Sequence, residues 1–307
     1  MTGAGTADLA FAKESSFLGS LVDSDADGTP EYFEPGKDPT LQELTLQRAL
    51  QRQRDPSNVW SSQSVAQNLE GAFGIQFTMD DSRIGDVHDI VFNDAGTGLT
   101  SGLAASSRWF LGLDYLSGTA ERVLKGVVPM DFTVEYSQGG QIRLNITFAY
   151  ADEEYNTSIT PSSVQAANGA SAQWHGMDLT IGGTTQVKEQ SATLSISDMS
   201  RFQRGSEPIA VEAVVANPQA TLDVTGIFSE TNQMELAYGG SGQTTTSKTM
   251  SSVSGSMALS AAGATVTTYN FGQLKPNEYS WNELLGTEDT TEQVPFNIDG
   301  NPAVSIT

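Results

Sequence analysis

The chain has 307 residues, with 37 acidic against 15 basic side chains, a formal charge of −22, and no cysteine. That length buries roughly three quarters of its extended surface without help from disulfides or metals, and the missing thiols exclude disulfides and cysteine-ligated metals. So strong an acidity argues against holding nucleic acid through its phosphates, which needs clustered Lys and Arg.

The opening residues, MTGAGTADLAFAKESSFLGS, show no basic region followed by an apolar run, and no stretch approaches the ~20 apolar residues of a membrane helix. The expectation is a soluble chain made in the cytoplasm. Residues 1–37 are Gly-rich, acidic and weakly periodic, so they are expected to form an arm with loops.

Within that arm, DSDADGTPEYFE at residues 23–34 has the ligand spacing of a calcium loop. Ca²⁺ takes six to eight oxygens, and the pattern offers carboxylates at Asp23, Asp25 and Asp27, a backbone carbonyl at Thr29 and a bidentate carboxylate at Glu34. Gly28 stands where such a loop turns sharply. Against a helix–loop–helix site, Pro30 removes a backbone N–H, and the flanks SFLGSLV and PGKDPT are too short or broken for two helices. The expectation is a cation loop in a non-helical setting, with a plain solvated turn as the alternative.

Asp38–Asp55 reads as the longest helix. Pro39 suits its first turn, Leu41, Leu44, Leu46 and Leu50 form an apolar stripe, and Arg48, Arg52 and Arg54 lie near its C-terminus. An N-terminal unit over 1–60 and a β domain over 61–307 follow from this. Beyond it the apolar period drops to two. EGAFGIQFTM alternates Phe73, Ile75, Phe77 and Met79 against small or polar residues, as a half-buried strand does, and DSRIGDVHDIVF is expected to be a short helix.

SRWFLGLDYL, VPMDFTVEYS, QIRLNITFAY, MDLTIGG, QSATLSIS, the long stretches from 209 to 228 and 252 to 271, and PAVSIT are strand candidates. Gly139-Gly140, between Phe132, Val134, Tyr136 and Ile142, Leu144, Ile146, signals a hairpin. The Gly, Ser and Thr tract at 238–256 is expected to be a mobile loop or long hairpin. The fold class is therefore mainly β: an antiparallel sandwich or barrel, with one longer helix and one or two short ones.

Catalytic signals are weak. The two histidines, His88 and His175, lack metal-ligand spacing, no nucleophile elbow or nucleotide-binding glycine loop occurs, and 37 acids make chance carboxylate pairs uninformative. The expectation is a non-enzyme. Two glycosylation sequons occur at Asn145 and Asn156, the first inside a strand pattern.

Three segments carry a resemblance to a family. GTADLAFAKESSFLGS is similar to the start of tail tube proteins of tailed viruses, where a short strand and an acidic arm precede the β domain. VPMDFTVEYSQGGQIRLNITFAYADEE looks like their central hairpin. VKEQSATLSISDMSRFQRGSEPIAVEAVVANPQATLDVTGIF resembles their late section. The resemblance is one of layout, over most of the chain. It implies a tail-tube β-sandwich or barrel whose copies form rings, expected to be hexameric, that stack into a tube in the virion tail.

Further expectations follow from it: assembly in the host cytoplasm, contacts with other tail proteins, and passage of viral DNA through the lumen without specific binding or membrane contact. The acidity suggests a virus of a halophilic, archaeal host. The acidic loop and helix depart from the family layout. The competing reading is a secreted or surface-attached calcium-binding β-sandwich, an adhesion or surface-layer module, favoured by the Ser/Thr richness, the sequons and the acidic loop.

Overall fold

The computed structural model describes residues 7–53, 56, 61, 63–65, 68–94, 98–115, 118–156 and 164–307. In chain order these form β1 (Ala7–Lys13), β2 (Tyr32–Phe33), β3 (Lys37–Gln47), β4 (Gln51–Gln53), β5 (Gln63–Val65), β6 (Glu70–Thr78), α1 (Ile84–Val91), β7 (Ser107–Tyr115), β8 (Gly118–Ser137) and β9 (Arg143–Asn156). There follow β10 (Val164–Gln165), a 3₁₀ turn at Trp174–Gly176, β11 (Met177–Ile181), β12 (Thr184–Thr185), β13 (Glu189–Ser197), β14 (Ser200–Arg204) and β15 (Ala210–Val215). The last elements are β16 (Gln219–Ile227), α2 (Asn232–Tyr238), β17 (Val253–Ala261), β18 (Ala264–Pro276), β19 (Ser280–Asn282) and β20 (Thr291–Ile306). The protein is mainly β, as its period-two patterning dictates.

Among the described residues, sixteen strands join one sheet, with the central order β1-β7-β8-β13-β16-β20-β18-β17-β11. The twenty residues of β8 organise it. Their first half pairs with β7 and their last residues with β13, while β9 follows the other side almost throughout. β6 then pairs with β9, and β3 with β6. The Gly139-Gly140 turn closes the β8–β9 hairpin in the expected register, with Phe132 opposite Ile146 and Val134 opposite Leu144.

The sheet wraps around its core. Phe132 on β8 and Tyr269 on β18 have three strands between them in the ladder, yet their ring centroids lie 6.1 Å apart. In a flat sheet four strand spacings of about 4.8 Å would keep them roughly 19 Å apart. α1 lies against this core with Val87, Ile90 and Val91 buried, and the ring of His88 meets both Phe132 and Tyr269. Phe73, Trp109 and Phe148 form a second aromatic knot, with centroids 5.2–5.3 Å apart. Gly71 is required beside it, because a Cβ there would lie 1.8 Å from the Tyr150 ring.

Two expectations are corrected. Residues 38–55 contain no helix among those described: residues 37–47 are β3, paired with β6, and 51–53 are β4. Leu, Gln, Glu and Arg are good helix formers, but propensity is a small energy that tertiary pairing overrides, and the alternating strand β6 leaves a row of backbone donors and acceptors that β3 satisfies. Irregular register between Lys37 and Thr40 and between Gln42 and Thr45 breaks the two-residue period, so the leucine spacing mimics a helical stripe. Nor are residues 7–13 a loose arm. β1 runs antiparallel to β7 over seven residue pairs and buries Phe11 against Trp109, a strand hidden from composition by its alanines.

α2 was not foreseen, and it occupies the approach to the Gly/Ser/Thr tract. That tract folds back on it through Ser247 N–H to the Tyr238 carbonyl (2.7 Å) and Ser251 N–H to the Gly239 carbonyl (2.8 Å), before β17 begins at Val253.

Candidate functional site

The acidic loop at 23–29 is built by side chains accepting from its own backbone. Gly28 N–H donates to Asp23 (2.8 Å), Asp27 N–H to Asp25 (3.1 Å) and Thr29 N–H to Asp27 (2.7 Å). Gly28 has φ 92°, the left-handed turn its position calls for. These bonds draw the carboxylates of Asp23, Asp25 and Asp27 together, with one oxygen of each within 4.8 Å of the others.

One oxygen of the group, Asp23 Oδ1, is shielded from solvent and accepts no hydrogen bond. A shielded carboxylate oxygen without a donor costs free energy unless a cation or proton meets it. Three hard oxygens and an orphaned acceptor fit a hard divalent cation such as Ca²⁺.

The remaining expected ligands lie differently. Glu34 turns away, accepting from Ala167 N–H at 2.8 Å. Thr29 follows Gly28 in the loop, with its N–H committed to Asp27. The residue that closes the loop is Glu31, whose carboxylate accepts from Ser24 N–H (2.9 Å) and Asp25 N–H (3.1 Å). The Ser24 bond holds the Glu31 carboxyl below its usual range. The twelve-residue spacing pointed to Glu34; the acid three residues earlier was legible in the sequence but lay outside that spacing.

A set of carboxylates outside the motif pins residues 166–170 to the sheet. Asp80 accepts from Ser82 N–H (3.0 Å) and Gly169 N–H (3.2 Å) and faces Lys37 Nζ at 3.3 Å. Asp81 accepts from Ala170 N–H at 2.7 Å. Burial raises the Asp80 pKa, but Ser82 and Lys37 outweigh it and the net shift is downward. These contacts position a strap, although Asp80 Oδ2, shielded from solvent, has the Lys37 ion pair and accepts no hydrogen bond.

The histidines are similarly committed. His88 Nε2 lies 2.9 Å from the Tyr269 hydroxyl in the core, and burial pushes its pKa down to about 4. The neighbouring acids turn outward, Asp86 to Arg83 (2.9 Å) and Asp89 to Lys13 (3.2 Å). His175 sits in the 3₁₀ turn, edge-on to Trp174 at 5.8 Å. Asn145 is at mid-strand in β9, between Gln76 and Thr133, a poor place for a glycan. Asn156 ends β9, and residues 157–158 of its sequon lie outside the described residues.

The sheet borders are the second candidate. β3 pairs with β6 on one side, and no described strand pairs with its other edge. Leu41 and Leu46 on it are 38% and 44% exposed, and Leu50 beyond it is 62% exposed. Pro39 and the two register breaks are devices that keep such an edge from pairing indiscriminately. The other border strands among those described are short: β12 and β10 have two residues each and β19 has three.

A mainly antiparallel β protein with a wrapped core, an edge strand that no other described strand covers and an acidic loop is the class these features define. No protein-family model and no curated protein matches the chain.

Proposed function

We propose that this chain is a structural subunit that assembles with copies of itself by sharing sheet borders around a hollow axis, as the major tail tube protein of a tailed virus does. The observation that carries the reading is the outer edge of β3, which no described strand pairs, eleven residues long and bearing exposed leucines. Joined edges close rings when the rotation between neighbours closes, and rings stack into a tube. The sequence layout that resembles tail tube proteins points the same way.

The charge suits a conduit for DNA. With 37 acids against 15 bases, the lumen of such a ring would repel phosphates, so viral DNA would pass without sticking. Other tail proteins would meet the ends of the tube. Dense surface carboxylate also suits a salt-rich host.

Negative-stain microscopy of the purified protein in high salt tests the reading. Six-fold rings or tubes are expected; monomers that stay dispersed at every protein concentration overturn it.

The second reading, a calcium-binding surface or adhesion module, is favoured by the Asp23, Asp25 and Asp27 cluster with its unpartnered Oδ1. If the loop holds a cation in either setting, a chelator lowers the melting temperature or loosens the assembly, and Asp25→Ala reproduces the effect. Identical melting curves and particle sizes across all three samples remove the cation from the account.

A further inference from the structure

At one end of the sheet the core-facing row carries acids in place of apolar side chains. Glu292 begins the buried face of β20, ahead of Val294 and Phe296, and is only 7% exposed. It pairs with Gly226 of β16, and Gly226 pairs with Glu189 of β13. Ladder partners project to the same face, so two glutamates look at each other across a glycine. Two strand spacings of about 4.8 Å set their Cα atoms roughly 10 Å apart.

A cavity of about 60 Å³ lies there, bounded by Gly226, both glutamates, Gln186 and the start of α2. Its amides are oriented by their bonds. Gln186 Nε2 donates to the Thr184 carbonyl (3.0 Å), so Gln186 Oε1 is the end that accepts, from Gln233 Nε2 at 3.0 Å. Gln233 is 5% exposed, and the end of its amide left for the cavity, Oε1, is shielded from solvent and accepts no hydrogen bond from a described residue. Exchanging the two ends of this amide would set oxygen against oxygen at Gln186. The orphaned acceptor therefore belongs to the arrangement.

Neither glutamate has an ion-pair partner among the described residues. Lys188 lines the cavity, but it is exposed and pairs with neither. Glu230, also at the cavity, is exposed and accepts from the Asn232 amide at 2.8 Å. One oxygen of Glu292 accepts from the Tyr279 hydroxyl at 2.9 Å. Burial raises the pKa of both glutamates, and the charge of Glu189 raises that of Glu292 further. Shielded carboxylates and a shielded amide oxygen cost free energy unless something positive meets them. Water would satisfy Gln233 Oε1 and leave the two acids opposed; a cation answers both.

We infer that Glu189, Glu292 and Gln233 hold a hard divalent cation, Ca²⁺ by the chemistry of the ligands, between β13, β20 and α2. Ca²⁺ takes carboxylate and neutral amide oxygens in an adaptable geometry, at about 2.3–2.6 Å, with waters completing its shell. The span between the two glutamates suits an ion held from both sides. Bound there, it ties α2 to the sheet and, through α2, the Gly/Ser/Thr tract that folds back on Tyr238 and Gly239. The site shares no residue with the acidic turn at 23–29, and it stands whether or not copies of the chain assemble.

The test uses the full chain carrying Asp25→Ala, which disables the acidic turn, and Tb³⁺ as a luminescent stand-in for Ca²⁺. The Tyr279 hydroxyl on Glu292 places a sensitising ring beside the ion. Saturable Tb³⁺ luminescence that Ca²⁺ competes away is expected, with slower hydrogen exchange at residues 232–238 when Ca²⁺ is added. Glu189→Gln and Glu292→Gln, which keep the size of the side chains, should each weaken Tb³⁺ binding about tenfold or more, while the metal-free proteins still melt cooperatively. The absence of a saturable signal, or exchange at 232–238 that Ca²⁺ leaves unchanged, overturns the inference and leaves water in the cavity. A signal that neither substitution alters overturns it as well, by putting the ion elsewhere.

Discussion

β3 and β6 are hydrogen-bonded neighbours with opposite fates. β6 buries Phe73, Ile75 and Phe77 to 2% exposure or less, whereas β3 leaves Leu41 and Leu46 in water. Both have their shared ladder bonds. The difference shows that pairing settles the backbone while burial depends on what stacks over the face. Trp109 of β7 packs on Phe73 of β6, which Phe148 and Tyr150 flank from β9; on β3, Leu44 reaches the same core while Leu41 and Leu46 stay 38% and 44% exposed. One strand holds the fold, and the other is the edge that the proposed assembly would use.

The comparison is sharpest in the core. Phe148→Ala removes a fully buried ring from between Phe73 and Trp109 and should cost about 3–5 kcal/mol, read from urea or guanidinium unfolding. A cost below about 1 kcal/mol would mean that the wrapped core does not pack as described.

Next comes His88, held neutral in that core. Its folded pKa lies below the ordinary value, at about 4 against 6.5, so the unfolded chain binds the proton first as pH falls. The stability it confers is complete above about pH 6.5 and is lost as pH drops toward 4. At 1.36 kcal/mol per pKa unit this amounts to roughly 3 kcal/mol. His88→Gln should flatten the difference in that window. Parallel stability curves for the two proteins between pH 7 and 4 would contradict the burial.

Smaller again is Asp80→Ala, which strips Gly169 N–H and Lys37 of their buried acceptor and should cost about 1–3 kcal/mol. Hydrogen exchange at residues 167–170 should rise with it; unchanged protection there would break the link between Asp80 and the strap.

The smallest effect on stability, and the largest on assembly, is expected for Leu41→Ser with Leu46→Ser. Exposed positions change folding by about 0.5 kcal/mol or less, yet the edge they line would lose its apolar cover. Light scattering should show smaller particles at an unchanged melting temperature. A fall in melting temperature with particle size untouched would make β3 an ordinary part of the fold.

Much of the fold was written locally. Phe73, Ile75 and Phe77 announced β6, Gly139-Gly140 announced the central hairpin, and IGDVHDIV announced α1, because each meets its partners through short-range periodicity or turn chemistry. The Asp23, Asp25 and Asp27 cluster was legible for the same reason: its bonds span two to five residues. Glu34 was misplaced, since its amide partner, Ala167, lies 133 residues away.

By itself, then, the amino-acid order determined the mainly β class, the acidity and the geometry of the acidic turn, all properties of neighbours along the chain. Only the tertiary structure decided that residues 37–47 are an edge strand instead of a helix, that Phe11 belongs to the core, and that Glu34 is taken up by Ala167. Those outcomes depend on which backbone groups and surfaces meet across more than twenty residues of chain, and no local propensity is strong enough to dictate that.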